Sequence, residues 1–316
     1  MGSGSAAGGL MEGANSMLQT IASTRLSIAT ENREAALNAL ATDSDKPEFR
    51  EALPFYYDVY SFRGNNKNTD LTAAIAIPGT SLEPRQTNTG LVYSVQLSLI
   101  VIDTATNKVV RTDTTYTLRS DRRLGENEHV RLHTSLATGS SKTTIHRLVI
   151  RDLGKSSRGQ MYGGGTTVPS YDGAGLMISD IVLAEPNSGT WERGDAKLAL
   201  VPPRQFPENR PLTLFYELYN LPAATPYRTE ITLSPTDKGA GLGSIKKLFG
   251  GSSGNVKLSF DGTARVDDLG RVQETRKVTT QMKPGRYKVV VKVTNLQNQQ
   301  VTTMEKLFVV IDQKGK

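Results

Sequence analysis

The sequence predicts an all-β protein: two tandem antiparallel immunoglobulin-like β-sandwiches with a short N-terminal helix. Three observations support this fold class. Segments of alternating apolar and polar residues recur from residue 56 almost to the C-terminus. Turn-forming Gly, Pro, Asn and Asp residues separate them, and no helical pattern lies between them. Consecutive strands without crossover helices form antiparallel sheets, because parallel neighbours need a long connection.

The segment at residues 212–219 is the one around which the second sandwich is organised. One parity of this strand holds Leu212, Leu214, Tyr216 and Leu218. The other parity holds Thr213, Phe215, Glu217 and Tyr219. Successive side chains of a strand point to opposite faces, so both faces of this one carry large apolar groups. We therefore expect a core beneath one face and partial cover above the other.

The remaining strand segments fall into two series. The first comprises residues 56–62, 71–77, 91–103, 109–119, 129–136 and 143–152. The second comprises residues 176–184, 197–201, 212–219, 227–234, 255–260, 271–279, 285–294 and 301–310. Both series end with a strand, a Gly turn, a long alternating strand, a polar turn and a closing strand. This order predicts two copies of one architecture.

A Gly- and Ser-rich stretch at residues 153–174 separates the two series, and we interpret it as a linker with a short strand at residues 166–168. The predicted division is therefore a leader and helix at 1–48, a first sandwich at 49–170 and a second at 171–316. Residues 15–40 give the helix, because Ile and Ala recur there at intervals of three and four. Its narrow apolar face predicts docking on a sheet edge or on another protein.

Composition limits the chemistry that the chain can perform. The 316 residues include no cysteine, which excludes a disulfide framework, a thiolate metal site and a cysteine nucleophile. No apolar run approaches the ~18 residues of a membrane span, and the first residues lack a basic start followed by an apolar core. We expect no transmembrane segment, and either a cytoplasmic chain or one numbered after an export segment has been removed.

No motif for catalysis or metal binding is complete. There is no Gly-x-Ser-x-Gly elbow, and residues 139–143 lack the first glycine and the following helix of a phosphate loop. His129 and His133 lie four residues apart on a predicted strand, which separates them by ~13 Å. That distance is too long for a single zinc ion. We therefore expect a non-enzymatic protein without a cofactor or a metal site.

Two features are candidate partner-binding sites. The net charge is +7, and from residue 176 onward 20 Lys and Arg face 14 Asp and Glu. One parity of the strand at 285–294 carries a basic row, which consists of Arg286, Lys288 and Lys292. A glycine-flanked loop carries an amphipathic turn, which consists of Ile245, Lys246, Lys247, Leu248 and Phe249. These sites suit an acidic protein, a membrane-associated complex or a membrane surface, rather than nucleic acid; the alternatives are a solvated basic face and a loop folded on its own sandwich.

Three segments resemble the C-terminal sandwich region of bacterial GWxTD-domain-containing proteins. They are Leu-Met-Ile-Ser-Asp-Ile-Val-Leu-Ala at 176–184, Phe-Tyr-Glu-Leu-Tyr-Asn-Leu at 215–221 with Tyr227, and Lys-Pro-Gly-Arg-Tyr-Lys-Val at 283–289. The resemblance covers residues 49–310, and the GWxTD tetrad itself is absent. It implies β-sandwich modules and a periplasmic or extracellular location, and it transfers no catalytic residue.

These observations predict a binding or scaffold protein outside the bacterial cytoplasm. It would be a structural subunit of a larger assembly that binds protein partners through sandwich faces or loops. The alternative is a carbohydrate-binding or hydrolase-accessory module. That alternative requires an aromatic platform or paired carboxylates on one sheet face, and aromatic residues make up only 6% of the chain.

Overall fold

A computed structural model describes residues 19–20, 49–185, 191–236, 255–279 and 282–312. In these ranges the protein is all-β, with one short 3-10 helix at Gly79–Ser81 and no α-helix. The all-β prediction is therefore confirmed there. No helix of the described part is long and apolar enough to cross a membrane. The predicted N-terminal helix is not seen: apart from Gln19–Thr20, a two-residue strand, it lies outside the described residues.

The strands are numbered in chain order. The first ten are β1 Gln19–Thr20, β2 Glu51–Ala52, β3 Tyr56–Arg63, β4 Thr69–Pro78, β5 Arg85–Thr87, β6 Gly90–Asp103, β7 Lys108–Ser120, β8 His129–Thr138, β9 Ser141–Asp152 and β10 Arg158–Val168. The next are β11 Met177–Ile178, β12 Val182–Glu185, β13 Trp191–Arg193, β14 Ala196–Leu200, β15 Gln205–Pro207, β16 Leu212–Tyr219, β17 Pro226–Pro235, β18 Val256–Thr263, β19 Arg271–Val278, β20 Gly285–Asn295 and β21 Val301–Ile311.

The chain forms two compact units, and each draws on separated stretches of sequence. The first comprises Met1–Tyr56, Ala76–Leu136 and Thr143–Thr166. The second comprises Tyr57–Ile75, Ala137–Lys142 and Thr167–Lys316. The predicted division at residues 49–170 and 171–316 assumed continuous stretches, and as a statement about folding domains it stays a prediction.

The first unit is built on a sheet with the strand order β1-β7-β6-β9-β10-β2, to which β5 adds on β6. Strand β6 is its centre and pairs in antiparallel register with both β7 and β9. Leu97 and Leu99 of β6 and Leu148 and Ile150 of β9 are fully buried. These buried residues recur at every second position, which explains why periodicity located these strands correctly.

The linker interpretation of the Gly-rich stretch is wrong for residues 158–168, because these residues form the 11-residue strand β10. Glycine is needed there because neighbouring atoms lie too close for a Cβ atom, and not because the chain must be flexible. A Cβ atom at Gly163 would lie 2.8 Å from the carbonyl oxygen of His146, and one at Gly159 would lie 2.5 Å from the ring of Phe49. Composition alone cannot distinguish such a strand from a linker.

The second unit contains two sheets that share one core. The first has the order β11-β16-β12-β14-β13, with β19 paired along β16, and the second has the order β15-β21-β20-β17-β18. The buried core cluster includes Leu214, Tyr216 and Leu218 from the first sheet and Val289 and Val291 from the second. This arrangement is that of a β-sandwich, with alternate residues of each sheet pointing inward.

The opposite face of the first sheet is also buried. All eight residues of β16 are buried, which confirms that both of its faces are covered. The cover comes from β3 and β4, which are neighbouring strands joined by a turn at Gly64–Asn68. Residues from these strands and from the sheet form a second apolar cluster that includes Tyr60, Phe62, Trp191 and Phe215. Trp191 therefore lies in a core under the β3–β4 pair.

Candidate partner-binding face

A buried ionic network fixes the covered face of the second unit. Glu217, on β16, is fully buried on this face. Its Oε1 accepts hydrogen bonds from Arg193 Nε at 2.9 Å and Gln273 Nε2 at 3.1 Å. Its Oε2 accepts from Arg193 Nη2 at 3.1 Å and Tyr219 Oη at 2.8 Å. Arg271 Nη1 lies 3.3 Å from Oε1. Buried charges are tolerated only when paired and hydrogen-bonded in this way.

Arg193 connects this network to the β3–β4 pair. Its Nη2 donates to the carbonyl oxygen of Arg63 at 2.9 Å, and its Nη1 lies 3.3 Å from Asp70 Oδ2. Its guanidinium carbon lies 4.3 Å from the ring centroid of Phe62. Burial opposes the charge of Arg193, but the Glu217 carboxylate together with Tyr219 and Asp70 outweighs burial and raises the pKa of Arg193. The network is thus a structural clamp whose charged groups are already occupied.

A second polar cluster holds β3 from the other end. Asp180 Oδ2 accepts hydrogen bonds from the backbone nitrogen of Ser61 at 2.7 Å and from its hydroxyl at 2.8 Å. Burial raises the pKa of Asp180 above its ordinary value. Lys306 Nζ lies 3.0 Å from Asp58 Oδ2 and 4.6 Å from the ring centroid of Tyr60. Both clusters hold β3 in place.

The segment 176–184 was expected to be one strand, and it is two. Strands β11 and β12 are separated because Ser179 and Asp180 make polar contacts at the break. Ser179 Oγ accepts the backbone N–H of Glu217 at 2.9 Å, and Ser179 donates its own N–H to the carbonyl oxygen of Glu217. The break between β11 and β12 therefore places Ser179 where it supports the ionic network around Glu217.

The outer face of the five-stranded sheet is open, in contrast. Arg286 and Lys292 are exposed and Lys288 is half-buried, while Tyr287 and Val289 between them are buried. The predicted outward parity of the basic row is confirmed. The row is partly neutralised, however. Lys288 Nζ lies 3.0 Å from Glu305 Oε2 and Lys292 Nζ lies 2.8 Å from Glu230 Oε2.

Apolar side chains accompany the cations on this face. Residues directly opposite each other on paired strands point to the same face. Leu307 lies opposite Lys288, and Val309 lies opposite Arg286. Leu307 is 55% exposed. We call this surface the mixed face, and its residues are Arg286, Lys288, Lys292, Glu230, Glu305, Leu307 and Val309.

The other candidates contribute less. The loop residues Ile245, Lys246, Lys247, Leu248 and Phe249 lie outside the described residues. His129 and His133 both lie on β8, as expected from sequence. Within the described ranges no group of three or more His, Cys, Asp or Glu residues could hold a metal ion.

Sequence reasoning missed the residues that organise the covered face. Nothing in the sequence around Arg193 predicts a role for this residue. The available signal was Glu217, a carboxylate in the middle of a strand that is apolar on both faces. Such a group needs a buried cation, and Arg193 and Arg271 supply it from β13 and β19.

Comparisons with known proteins assign no family. No protein-family model matches the chain, and no curated protein matches it. Among solved structures, a transglutaminase from red sea bream is similar over 90% of this chain and 34% of its own, with 13% identity and a TM-score of 0.21. A β-glucuronidase from Bacteroides uniformis is similar over 78% and 26%, with 9% identity and a TM-score of 0.25. The chain thus spans about a third or less of these structures, and at such TM-scores the likeness carries no argument.

Removal of the Glu217 carboxylate should destabilise the second unit strongly. Glu217→Gln removes the carboxylate that Arg193 and Arg271 share and leaves them only Asp70 and Asp267, which are themselves partly exposed, so we expect a loss of about 3 kcal/mol in the free energy of unfolding. The matched control is Glu192→Gln, which breaks an exposed pair with Lys197 and should cost about 1 kcal/mol or less. Urea unfolding measures both variants. Similar losses in both would show that the network is not a clamp.

Lys292 should control the titration of Glu230. The hydrogen bond from Lys292 lowers the pKa of Glu230 below 4.5. We therefore expect Lys292→Met to raise the pKa of Glu230 toward that ordinary value, while Arg286→Met leaves it unchanged. Carboxyl chemical shifts followed through an acid titration by NMR measure this pKa. If the pKa of Glu230 is the same in Lys292→Met as in the wild type, the ion pair does not persist in solution.

Proposed function

We propose that this chain is a non-enzymatic binding or scaffold protein that docks an acidic protein surface on the mixed face. The observation that supports this proposal is the asymmetry of the second unit. Its own β3–β4 pair buries the outer face of one sheet. Among the described residues, the mixed face of the other sheet instead keeps exposed cations and an exposed leucine.

The chemistry of the mixed face suits a partner with acidic and apolar groups. Arg286 is exposed and forms no ion pair with another described residue, so its guanidinium is available to a carboxylate in bidentate geometry. Leu307, opposite Lys288, offers apolar area next to the charges. Arginine and apolar groups are enriched in the centres of protein interfaces, whereas charge at the rim steers association.

Location and assembly are also part of the proposal. The resemblance to GWxTD-domain-containing proteins favours a bacterial protein on the periplasmic or extracellular side, with tandem immunoglobulin-like sandwiches in a larger assembly. The face-to-face sheets of the second unit agree with the sandwich part of that description. The basic second half of the chain, with its excess of Lys and Arg, favours an acidic rather than a basic partner.

No specific observation favours the carbohydrate-binding or hydrolase-accessory alternative. Among the described residues the exposed tyrosines are Tyr56 and Tyr162. They contact different rings: Tyr56 lies 6.1 Å from His129, and Tyr162 lies 4.6 Å from Phe55. They do not stack as one flat platform. The alternative predicts millimolar or tighter polysaccharide binding, which a pull-down would detect.

A matched pair of double variants tests the mixed face. The test variant is Arg286→Glu with Leu307→Ser. The control is Lys277→Glu with Leu269→Ser, which changes the net charge equally and removes an equally exposed leucine, since Leu269 and Leu307 are both 55% exposed. Each variant serves as immobilised bait for native envelope proteins over a salt series, with retained proteins quantified by mass spectrometry.

We expect a partner that binds the wild type and the control but is retained at least about tenfold less by the Arg286/Leu307 variant, a loss of about 1.4 kcal/mol or more. Its binding to the wild type should weaken as salt rises, because screening reduces the attraction. Equal retention by both variants would contradict docking on this face. Binding of the wild type to anionic lipid vesicles without any protein would also contradict it, since that result assigns the face to a membrane surface.

A further inference from the structure

Among the described strands, β18 is an edge strand whose outer backbone groups have no strand partner. It lies at the end of the order β15-β21-β20-β17-β18 and pairs residue by residue with β17 from Val256 to Thr263. Within the ranges that the structure describes, no strand pairs with its other side. A free edge of eight residues presents N–H and C=O groups that can pair with another strand.

The side chains of β18 also have room for a neighbour. Val256, Leu258 and Phe260 point inward, pack against the core, and remain only partly buried. Lys257 and Asp261 point outward and are exposed. A strand added at this edge would cover the inner apolar residues and would place new charges beside the outer ones.

The sequence of β18 complements itself in one antiparallel register. When two copies of the strand pair about Ser259, Lys257 of each copy faces Asp261 of the other. Leu258 then faces Phe260, and Ser259 faces Ser259. Directly opposite residues share a face, so the ion pairs form on the outer side and the apolar pairs on the core side. Registers centred on Lys257 or on Asp261 would instead place like charges opposite each other.

The charges are available for this pairing. Lys257 forms no ion pair with another described residue. Asp261 binds Arg228 of the neighbouring strand β17, with Arg228 Nε 2.7 Å from Asp261 Oδ1, but the Asp261 side chain remains 60% exposed. A carboxylate can accept several hydrogen bonds, so it can bind a second cation without losing the first.

We infer that β18 pairs with β18 of a second copy of this chain, giving a two-fold symmetric dimer whose five-stranded sheets join into one. A two-fold axis that is perpendicular to the sheet and passes midway between the two Ser259 residues produces this register and keeps both mixed faces on the same side. The self-complementary order Lys257, Ser259, Asp261 selects a second copy over an unrelated strand. The inference does not depend on the proposed function, because β18 carries none of the mixed-face residues.

Charge variants test the register. Lys257→Glu places two carboxylates opposite each other across the pair, and Asp261→Lys places two lysines opposite each other. Each variant alone should therefore dimerise more than about tenfold more weakly than the wild type. Mixed in equal amounts they regain an attractive pairing and should form a heterodimer. Lys277→Glu, on β19 of the other sheet, is the control and should dimerise like the wild type. Light scattering after gel filtration and native mass spectrometry measure the species.

An introduced cysteine tests the geometry independently. The chain contains no cysteine, so a single substitution gives one thiol per copy. Ser259→Cys places the two thiols directly opposite each other, ~5 Å apart at Cβ, and should form a disulfide-linked dimer under mild oxidation. Thr263→Cys lies on the same strand and the same face, but its two thiols would be ~27 Å apart at strand rise, so it should remain unlinked.

Three results together support the inference. The dimer is weakened in each single charge variant, it recovers when the two variants are mixed, and it is linked through Ser259→Cys but not through Thr263→Cys. A wild type that remains monomeric at all concentrations, with equal linking of Ser259→Cys and Thr263→Cys, overturns it. A dimer that is unaffected by the charge variants also overturns it, because its interface must then lie elsewhere.

Discussion

The burial of both faces of β16 is the constraint on which the second unit depends. One face needs the core formed with the five-stranded sheet, and the other needs the β3–β4 pair. Because Glu217 lies on the second face, burial of that face also requires cations, which Arg193 of β13 and Arg271 of β19 supply. Residues 57–75 therefore belong to the second unit, although they precede most of the first unit in sequence.

This constraint also divides the surface. A sheet whose outer face is used for internal packing cannot offer that face to a partner, so the proposed docking uses the other sheet. There the chain places cations, acids and Leu307 on the broad face, and it leaves the free edge of β18 at one side. The two proposed interactions are compatible with each other, since a face and an edge of one sheet use different groups.

The sequence predicted the features that depend on the local alternation of apolar and polar residues. The bounds of β16 were correct, and so was the outward direction of Arg286, Lys288 and Lys292. It did not predict what depends on strand register, such as the pairing of Lys288 and Lys292 with Glu305 and Glu230, because those acids come from neighbouring strands. The Gly-rich β10 was mistaken for a linker because the need for close approach to His146 is visible only in three dimensions.

Native-state hydrogen exchange tests most directly whether the β3–β4 pair is an integral layer of the second unit. The amide of Ser61, bound to Asp180, and that of Arg63, bound to Tyr219 Oη at 2.9 Å, report on β3. If the clamp holds, both exchange with the same free energy of opening as the central amides of β16, since all belong to one cooperative unit. Exchange of the β3 amides through a separate opening of clearly lower free energy would contradict the account.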